Sequence, residues 1–219
     1  MERACNWSLT WNRKTGPMAV EPLSYALIAD GTSDRALLPI IAWSLRQNWR
    51  DGAFAPPIFK PRQHASIEDG IAEIIEKYRP NLVFVHRDAE SQTYETRLRK
   101  IPTLENTVPV IPVRMTEAWL LIDENALRQA AGDPNGRQPL EMPSLPQLER
   151  LRDPKATLYD LLSVASGKKG RQLRKFKAPE AVHRLAELIS DYSALRCLPA
   201  YKCFADRLAE VLVHFKEKF

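Results

Sequence analysis

The sequence predicts an α/β protein with a mainly parallel, Rossmann-like sheet and a helical C-terminal appendage. Short apolar runs typical of buried strands occur at Tyr25–Ala29 (YALIA) and at 81–85 (NLVFV). Amphipathic segments with helical spacing lie between such runs, and this alternation is typical of a parallel sheet covered by helices on both faces. In the second half only helical patterns recur, which predicts the appendage.

In the first half, each predicted strand leads into a predicted helix. Apolar residues at helical spacing follow the first strand, and Pro39 is expected to kink that helix or to mark a later start. Residues 57–60 form a weak strand, and Ser66 caps a clearly amphipathic helix. A further strand is predicted at 108–113, where two prolines indicate an edge position or an early end.

The chain is expected to have three parts: an N-terminal arm at 1–23, an α/β core at 24–131, and an irregular excursion with the helical appendage at 132–219. Residues 132–147 are rich in Pro and Gly, which predicts the excursion. Helices are predicted at about 154–165, 179–191 and 203–217.

Composition excludes several classes of protein. The hydrophobic fraction of 44% and the charged fraction of 27% are ordinary for a globular domain and argue against disorder. Cys5, Cys197 and Cys203 have no ligand spacing, which argues against zinc and suits a reducing compartment. No apolar run approaches the ~18 residues of a membrane helix. We therefore expect a cytoplasmic protein with no membrane partner, and an oligomer is possible.

The positive charge is concentrated in one stretch, residues 168–177, which we call the basic segment. Its cations are Lys168, Lys169, Arg171, Arg174, Lys175 and Lys177. They outnumber the net charge of +5, so the rest of the chain is slightly acidic. Such a segment favours a nucleic-acid partner, with Phe176 available for base stacking. The alternative is a solvated loop between helices.

Acidic residues follow the predicted strands. Asp30 ends the first strand and Asp34 lies four residues on; Asp88 and Glu90 follow the strand at 81–85; Glu117 opens the helix after the last strand. The carboxyl ends of parallel strands meet at one edge of the sheet. Carboxylates gathered there favour Mg²⁺ or Mn²⁺ as the cofactor. Alternatively, an acid such as Asp34 or Glu117 caps a helix or faces its dipole.

Two of these stretches resemble the Toprim motifs. ADGTSDRALL is similar to the first motif, normally Glu-Gly with an acid three residues later, and FVHRDAES to the second, Asp-x-Asp after a strand. A closer resemblance is to an uncharacterised Toprim-like bacterial family, related to OLD-type nucleases and found beside ATPases in phage-defence loci. It is carried by RMTEAWLLID at 114–123, DPKATLYDLL at 153–162 and LPAYKCFADRL at 198–208, and it covers about 24–215.

The resemblance implies roles for individual acids. Asp30 takes the place of the Toprim glutamate, a general acid/base or metal ligand, and Asp88 and Glu90 take the places of the Asp-x-Asp ligands. Both replacements keep a carboxylate but change its length by one methylene. Glu117 is a further candidate metal ligand, and Asp34 is expected to support the site or cap the helix.

The implied function is a Mg²⁺-dependent nuclease that acts on DNA or RNA in bacterial anti-phage defence. The resemblance also implies that Lys155 and Arg174 lie near the site. The alternative is a non-catalytic regulatory or toxin-like subunit that works with an ABC- or OLD-type ATPase. The chain has no phosphate-binding Walker A loop, so we do not expect it to hydrolyse ATP itself.

Overall fold

The structure is a computed structural model that describes residues 22–49, 52–61 and 66–217. Within these residues, four strands form one sheet: β1 Tyr25–Ala29, β2 Ile58–Pro61, β3 Leu82–His86 and β4 Thr107–Val110. The strand order is β2-β1-β3-β4, and every pairing is parallel. The predicted α/β fold with a parallel sheet is confirmed. Residues 1–21 of the predicted N-terminal arm lie outside the described residues.

The two central strands carry the apolar runs. Every residue of β1 and β3 is buried, as expected for parallel strands covered on both faces. β4 lies at the edge and ends at Val110, and the prolines of this stretch explain both facts because proline cannot donate to a ladder. Ile28 pairs with Val85, so β1 and β3 end side by side. The loops that follow them therefore leave the same edge of the sheet.

Helices make up most of the remaining chain. The α-helices are α1 Leu37–Asn48, α2 Ile67–Tyr78, α3 Tyr94–Leu98, α4 Glu124–Ala131, α5 Pro154–Ala165, α6 Gly170–Arg174, α7 Ala178–Leu188 and α8 Pro199–Glu217. Four 3₁₀ turns lie at Thr32–Ala36, Thr116–Leu120, Leu145–Arg150 and Ser193–Cys197. None of the helices in the described residues combines the length and apolar character that a bilayer crossing requires.

The larger hydrophobic core joins the sheet to the second half of the chain. It contains Leu27 of β1 and Phe84 of β3 together with buried residues of α1, α4, α5, α7 and α8. Its aromatic centre is Trp119, whose ring centroid lies 5.4 Å from that of Tyr201 and 6.1 Å from that of Phe204. A smaller core packs α2 against the other face of the sheet. The C-terminal helices therefore share a core with the sheet and fix the loops at its edge.

Candidate functional site

The loop after β1 presents two carboxylates at the carboxyl edge of the sheet. Asp34 is 7% exposed, and its Oδ2 accepts a hydrogen bond of 2.8 Å from the backbone N–H of Gly31. This bond caps the turn Thr32–Ala36, a role that the sequence allowed for Asp34. Asp30 is more exposed, and its Oδ1 accepts a hydrogen bond of 2.6 Å from Nη1 of Arg87.

A buried histidine at the end of β3 lies beneath two of the acids. Nδ1 of His86 is 3.0 Å from the carbonyl oxygen of Val110, and a carbonyl only accepts, so Nδ1 carries the proton. Burial lowers the pKa of His86, against the charge of Asp34, which raises it. The ring is therefore neutral at pH 7. Its Nε2 lies 3.5 Å from Oδ1 of Asp88 and 3.7 Å from Oδ2 of Asp34.

Asp88 is the electrostatic centre of the site. Burial, followed by the charges of Asp34, Glu117 and Asp30, raises its pKa to about 8. A hydrogen bond from the backbone of Thr116 acts in the opposite direction but is outweighed. We call Asp30, Asp34, Asp88 and Glu117 the acid cluster, because they repel one another across a largely buried space.

Glu117 reaches the cluster from the turn Thr116–Leu120 and is 8% exposed. Burial raises its pKa, while the charge of Lys155, whose Nζ lies 3.9 Å from Oε1 of Glu117, lowers it. Lys155 is held there by the start of α5, where the side chain of Asp153 accepts a hydrogen bond from the backbone N–H of Ala156. Lys155 thus lies beside the site, as the resemblance implied.

The structure does not bring Glu90 into the acid cluster. Its Oε2 accepts a hydrogen bond of 3.1 Å from Nη2 of Arg97 on α3, and its side chain is 67% exposed. The backbone of Glu90 has a left-handed φ of 54°, and its N–H donates to the carbonyl of Arg114. This turn separates Glu90 from Asp88 although only Ala89 lies between them. Glu117 is the acid that accompanies Asp88 instead.

Sequence reasoning missed two contributors to the site. The sequence places His86 where it could reach the site but favours a structural role for it, because the histidines show no ligand spacing; in the structure its ring contacts two cluster acids. Arg87 was given no role, yet it pairs with Asp30. The signal for both was their position inside the second motif, directly before Asp88.

The donor chemistry of the acid cluster fits Mg²⁺, since hard carboxylate oxygens are the ligands that this cation prefers. The cluster is nevertheless open as it stands. No three His, Cys, Asp or Glu side chains of the described residues are grouped closely enough to hold a metal ion. A cation bound at Asp88 therefore requires the neighbouring carboxylates to turn towards it.

The basic segment lies at the other end of α5 from Lys155. It follows the twelve residues of α5, which extend about 18 Å. Five of its six cations are exposed, while Nζ of Lys168 lies 5.5 Å from the centre of the Phe176 ring and Lys177 pairs with Glu180. The contacts of these two lysines are therefore with Phe176 and Glu180, whereas Lys155 is the lysine that lies beside the acid cluster.

Comparison with known proteins assigns no function to this site. No protein-family model matches the chain, and comparisons with curated proteins and with solved structures likewise found no match.

Proposed function

We propose that the protein is a cytoplasmic phosphodiesterase that hydrolyses DNA or RNA with Mg²⁺ or Mn²⁺ bound at the acid cluster. The observation that carries the proposal is the crowding of carboxylates around Asp88, whose pKa is raised to about 8 by burial and by its acidic neighbours. Largely buried like charges are unfavourable unless a cation joins them. The anti-phage setting rests on the resemblance of the motifs alone.

Asp34, Asp88 and Glu117, with Asp30 at the rim, are the groups that would hold the metal. A bound divalent cation lowers the pKa of its water and stabilises negative charge on a phosphoryl group. Because the proton of neutral His86 is on Nδ1, its Nε2 is an acceptor; it lies 3.5 Å from Oδ1 of Asp88 and favours the protonated form of that carboxyl until a metal binds. Glu117 here takes the place that the resemblance gave to Glu90.

Two cations at the rim are suited to bind the phosphate of the substrate. Arg87 pairs with Asp30, and Lys155 lies beside Glu117. When a metal neutralises the acids, each of these side chains is released to contact a phosphate oxygen. Arginine does so with two parallel hydrogen bonds, and lysine acts as a point charge.

The basic segment adds contacts farther along the strand. The length of α5 separates it from Lys155 by about 18 Å. A strand must therefore span several nucleotides to contact both surfaces. Shorter substrates are therefore expected to lose the contribution of the basic segment.

The proposal is tested by a nuclease assay with single-stranded DNA, duplex DNA and RNA, each with Mg²⁺, Mn²⁺ or EDTA. We expect metal-dependent cleavage by the wild type and its loss in Asp88→Asn. Glu141→Gln is the matched control, because it removes one negative charge from an exposed residue outside the acid cluster. Equal activity of Asp88→Asn and Glu141→Gln would contradict the proposal.

A second candidate function is favoured by the open arrangement of the acids. Because no three acidic or metal-ligating side chains of the described part of the chain are grouped as a metal site, the acids could instead be vestigial. The protein would then be a regulatory or toxin-like subunit of a partner ATPase. Calorimetry with Mg²⁺ on the isolated chain separates the two: binding at the acid cluster supports the phosphodiesterase, and its absence supports the subunit.

A further inference from the structure

A cavity of about 600 Å³ lies beside the turn that carries Asp34. This volume falls in the range of small-molecule sites. The turn Thr32–Ala36 contributes residues to the acid cluster and to the cavity. Asp34 is buried next to His86, whereas Thr32 and Arg35 line the cavity. The cavity is therefore one short turn away from the acid cluster.

One wall of the cavity combines an aromatic ring with a cation. Phe59 of β2 is half-buried, and the guanidinium carbon of Arg35 lies 5.7 Å from the centre of its ring. Arg35 is exposed and makes no ion pair with any residue that the structure describes. Unpaired bases of nucleic acids stack on aromatic rings and on arginine planes.

Other lining residues supply polar groups. His183 and Glu187 lie one turn apart on α7, and both line the cavity together with the hydroxyl-bearing Thr32. The remaining lining is largely apolar and includes Leu38 and Pro57. An apolar chamber with a stacking face and a few donors and acceptors matches the flat, polar-edged shape of a nucleobase.

We propose that this cavity binds one unpaired base of a nucleic-acid strand whose neighbouring phosphate lies at the acid cluster. The inference rests on the proposed function and specifies its substrate as single-stranded DNA or RNA. Phe59 stacks on the base. Arg35 neutralises the phosphate of the same nucleotide, while the phosphate of the next nucleotide lies at the acid cluster. A duplex is disfavoured because a paired base must first leave its stack.

The test measures binding in EDTA, so that it does not depend on cleavage. The metal-free acid cluster repels the strand equally in every variant, so differences between variants report on the cavity. The probe is a short single-stranded oligonucleotide with a fluorescent adenine analogue, compared with the same strand in a duplex. Phe59→Leu keeps an apolar side chain and removes the stacking face. We expect it to weaken single-strand binding by about tenfold or more and to leave duplex binding unchanged.

Two controls separate stacking from general effects. Tyr78→Leu removes an exposed ring on α2 that also lies next to a cation, Lys77. Tyr78 is not among the residues that line the cavity. Arg35→Gln changes an exposed side chain and therefore tests the cavity without risk to folding, and Arg99→Gln is its charge-matched control. We expect both control variants to bind as the wild type does and Arg35→Gln to bind more weakly.

The result that overturns the inference is wild-type affinity for single strands in both Phe59→Leu and Arg35→Gln. If the wild type still cleaves nucleic acid with Mg²⁺, only the cavity assignment fails. If the wild type cleaves nothing but its single-strand binding depends on Phe59, the cavity assignment stands and the phosphodiesterase proposal fails.

Discussion

The acid cluster and the basic segment both concentrate like charges, but they do so in different surroundings. The cluster is largely buried at the carboxyl edge of the sheet, and the pKa of Asp88 is raised to about 8 there. The basic segment lies mostly in solvent on and around α6. Water and salt screen exposed charges beyond about 8–10 Å, whereas buried charges interact strongly. Changes of pH and metal therefore act mainly on the acid cluster, and changes of salt act mainly on the basic segment.

The largest expected effect concerns which acid belongs to the cluster. Glu117→Gln and Glu90→Gln both remove one charge and keep the size of the side chain. We expect Glu117→Gln to lower kcat for metal-dependent hydrolysis by about 10²-fold, the scale of a misplaced reacting group. Glu90→Gln should change it by about twofold at most, because Glu90 pairs with Arg97 outside the cluster. Initial rates at saturating substrate measure kcat for both variants. Equal losses of kcat would indicate that Glu90 is also a metal ligand.

The second effect is stabilisation by metal. A ligand at about 100 times its Kd that binds only the folded state stabilises it by about 2.7 kcal/mol. For a chain of this size that corresponds to a rise in Tm of about 5–10 °C. We expect this rise with Mg²⁺ for the wild type and for Glu141→Gln, but not for Asp88→Asn. Thermal unfolding with NaCl at matched ionic strength controls for screening, and an equal rise in Asp88→Asn would place the metal elsewhere.

The third effect is the pH dependence of stability without metal. The native protein keeps the Asp88 proton up to about pH 8, whereas the unfolded chain releases it near pH 4. The unfolded state therefore binds fewer protons across this window, and the contribution of Asp88 to stability is lost as the pH rises.

Asp88→Asn removes the carboxyl whose ionisation in the native state lowers stability above about pH 8, and it should stabilise the metal-free protein by about 1–3 kcal/mol at pH 9. Near pH 4 the two proteins should be almost equally stable, because the carboxyl is then neutral in the native state. Urea unfolding at both values measures the difference, and a variant that is less stable than the wild type at pH 9 would indicate a supporting role for the Asp88 charge.

The smallest effect on stability is expected in the basic segment. Replacing Lys169 and Arg171 with Ala should change the free energy of unfolding by about 0.5 kcal/mol at most for each exposed site, and replacing half-buried Lys168, whose ammonium lies over Phe176, by about 0.5–1 kcal/mol. Nucleic-acid binding should weaken, and the slope of log K against log salt should fall by roughly one unit for each lost phosphate contact.

A triple variant at Arg99, Lys100 and Lys202 carries the same change of charge on exposed residues elsewhere. It should keep the wild-type slope. If both triple variants behave alike, the basic segment acts only through net charge and the contrast between the two regions disappears.

Much of the fold was predictable because its signals are local. β1 and α5 have the predicted bounds, since an apolar run defines the strand and Asp153 and Pro154 define the start of the helix. Pro39 marked a later helix start: it is the third residue of α1, in the first turn, where a missing N–H is tolerated. The start of α8 was placed four residues too late because Pro199 was not taken as a first-turn proline.

The composition of the acid cluster was less predictable. The motif order brought Asp30 and Asp88 to one edge of the sheet, as the topology requires. Whether Glu90 or Glu117 joins them depends on a left-handed backbone turn at Glu90 and on Arg97, seven residues on. Neither leaves a signal in the spacing of the acids, since the turn at Glu90 is held by a hydrogen bond to the carbonyl of Arg114 and the contact with Arg97 depends on where α3 lies.

The contact between Trp119 and the last helix has a consequence for inherited truncations. Glu117 lies two residues before Trp119, whose ring packs on Tyr201 and Phe204 of α8. A premature stop codon before Pro199 would leave every acid of the cluster in the chain but remove the surface on which the turn of Glu117 rests. Loss-of-function alleles are therefore expected in the codons of α8, far from any charged residue that performs the chemistry.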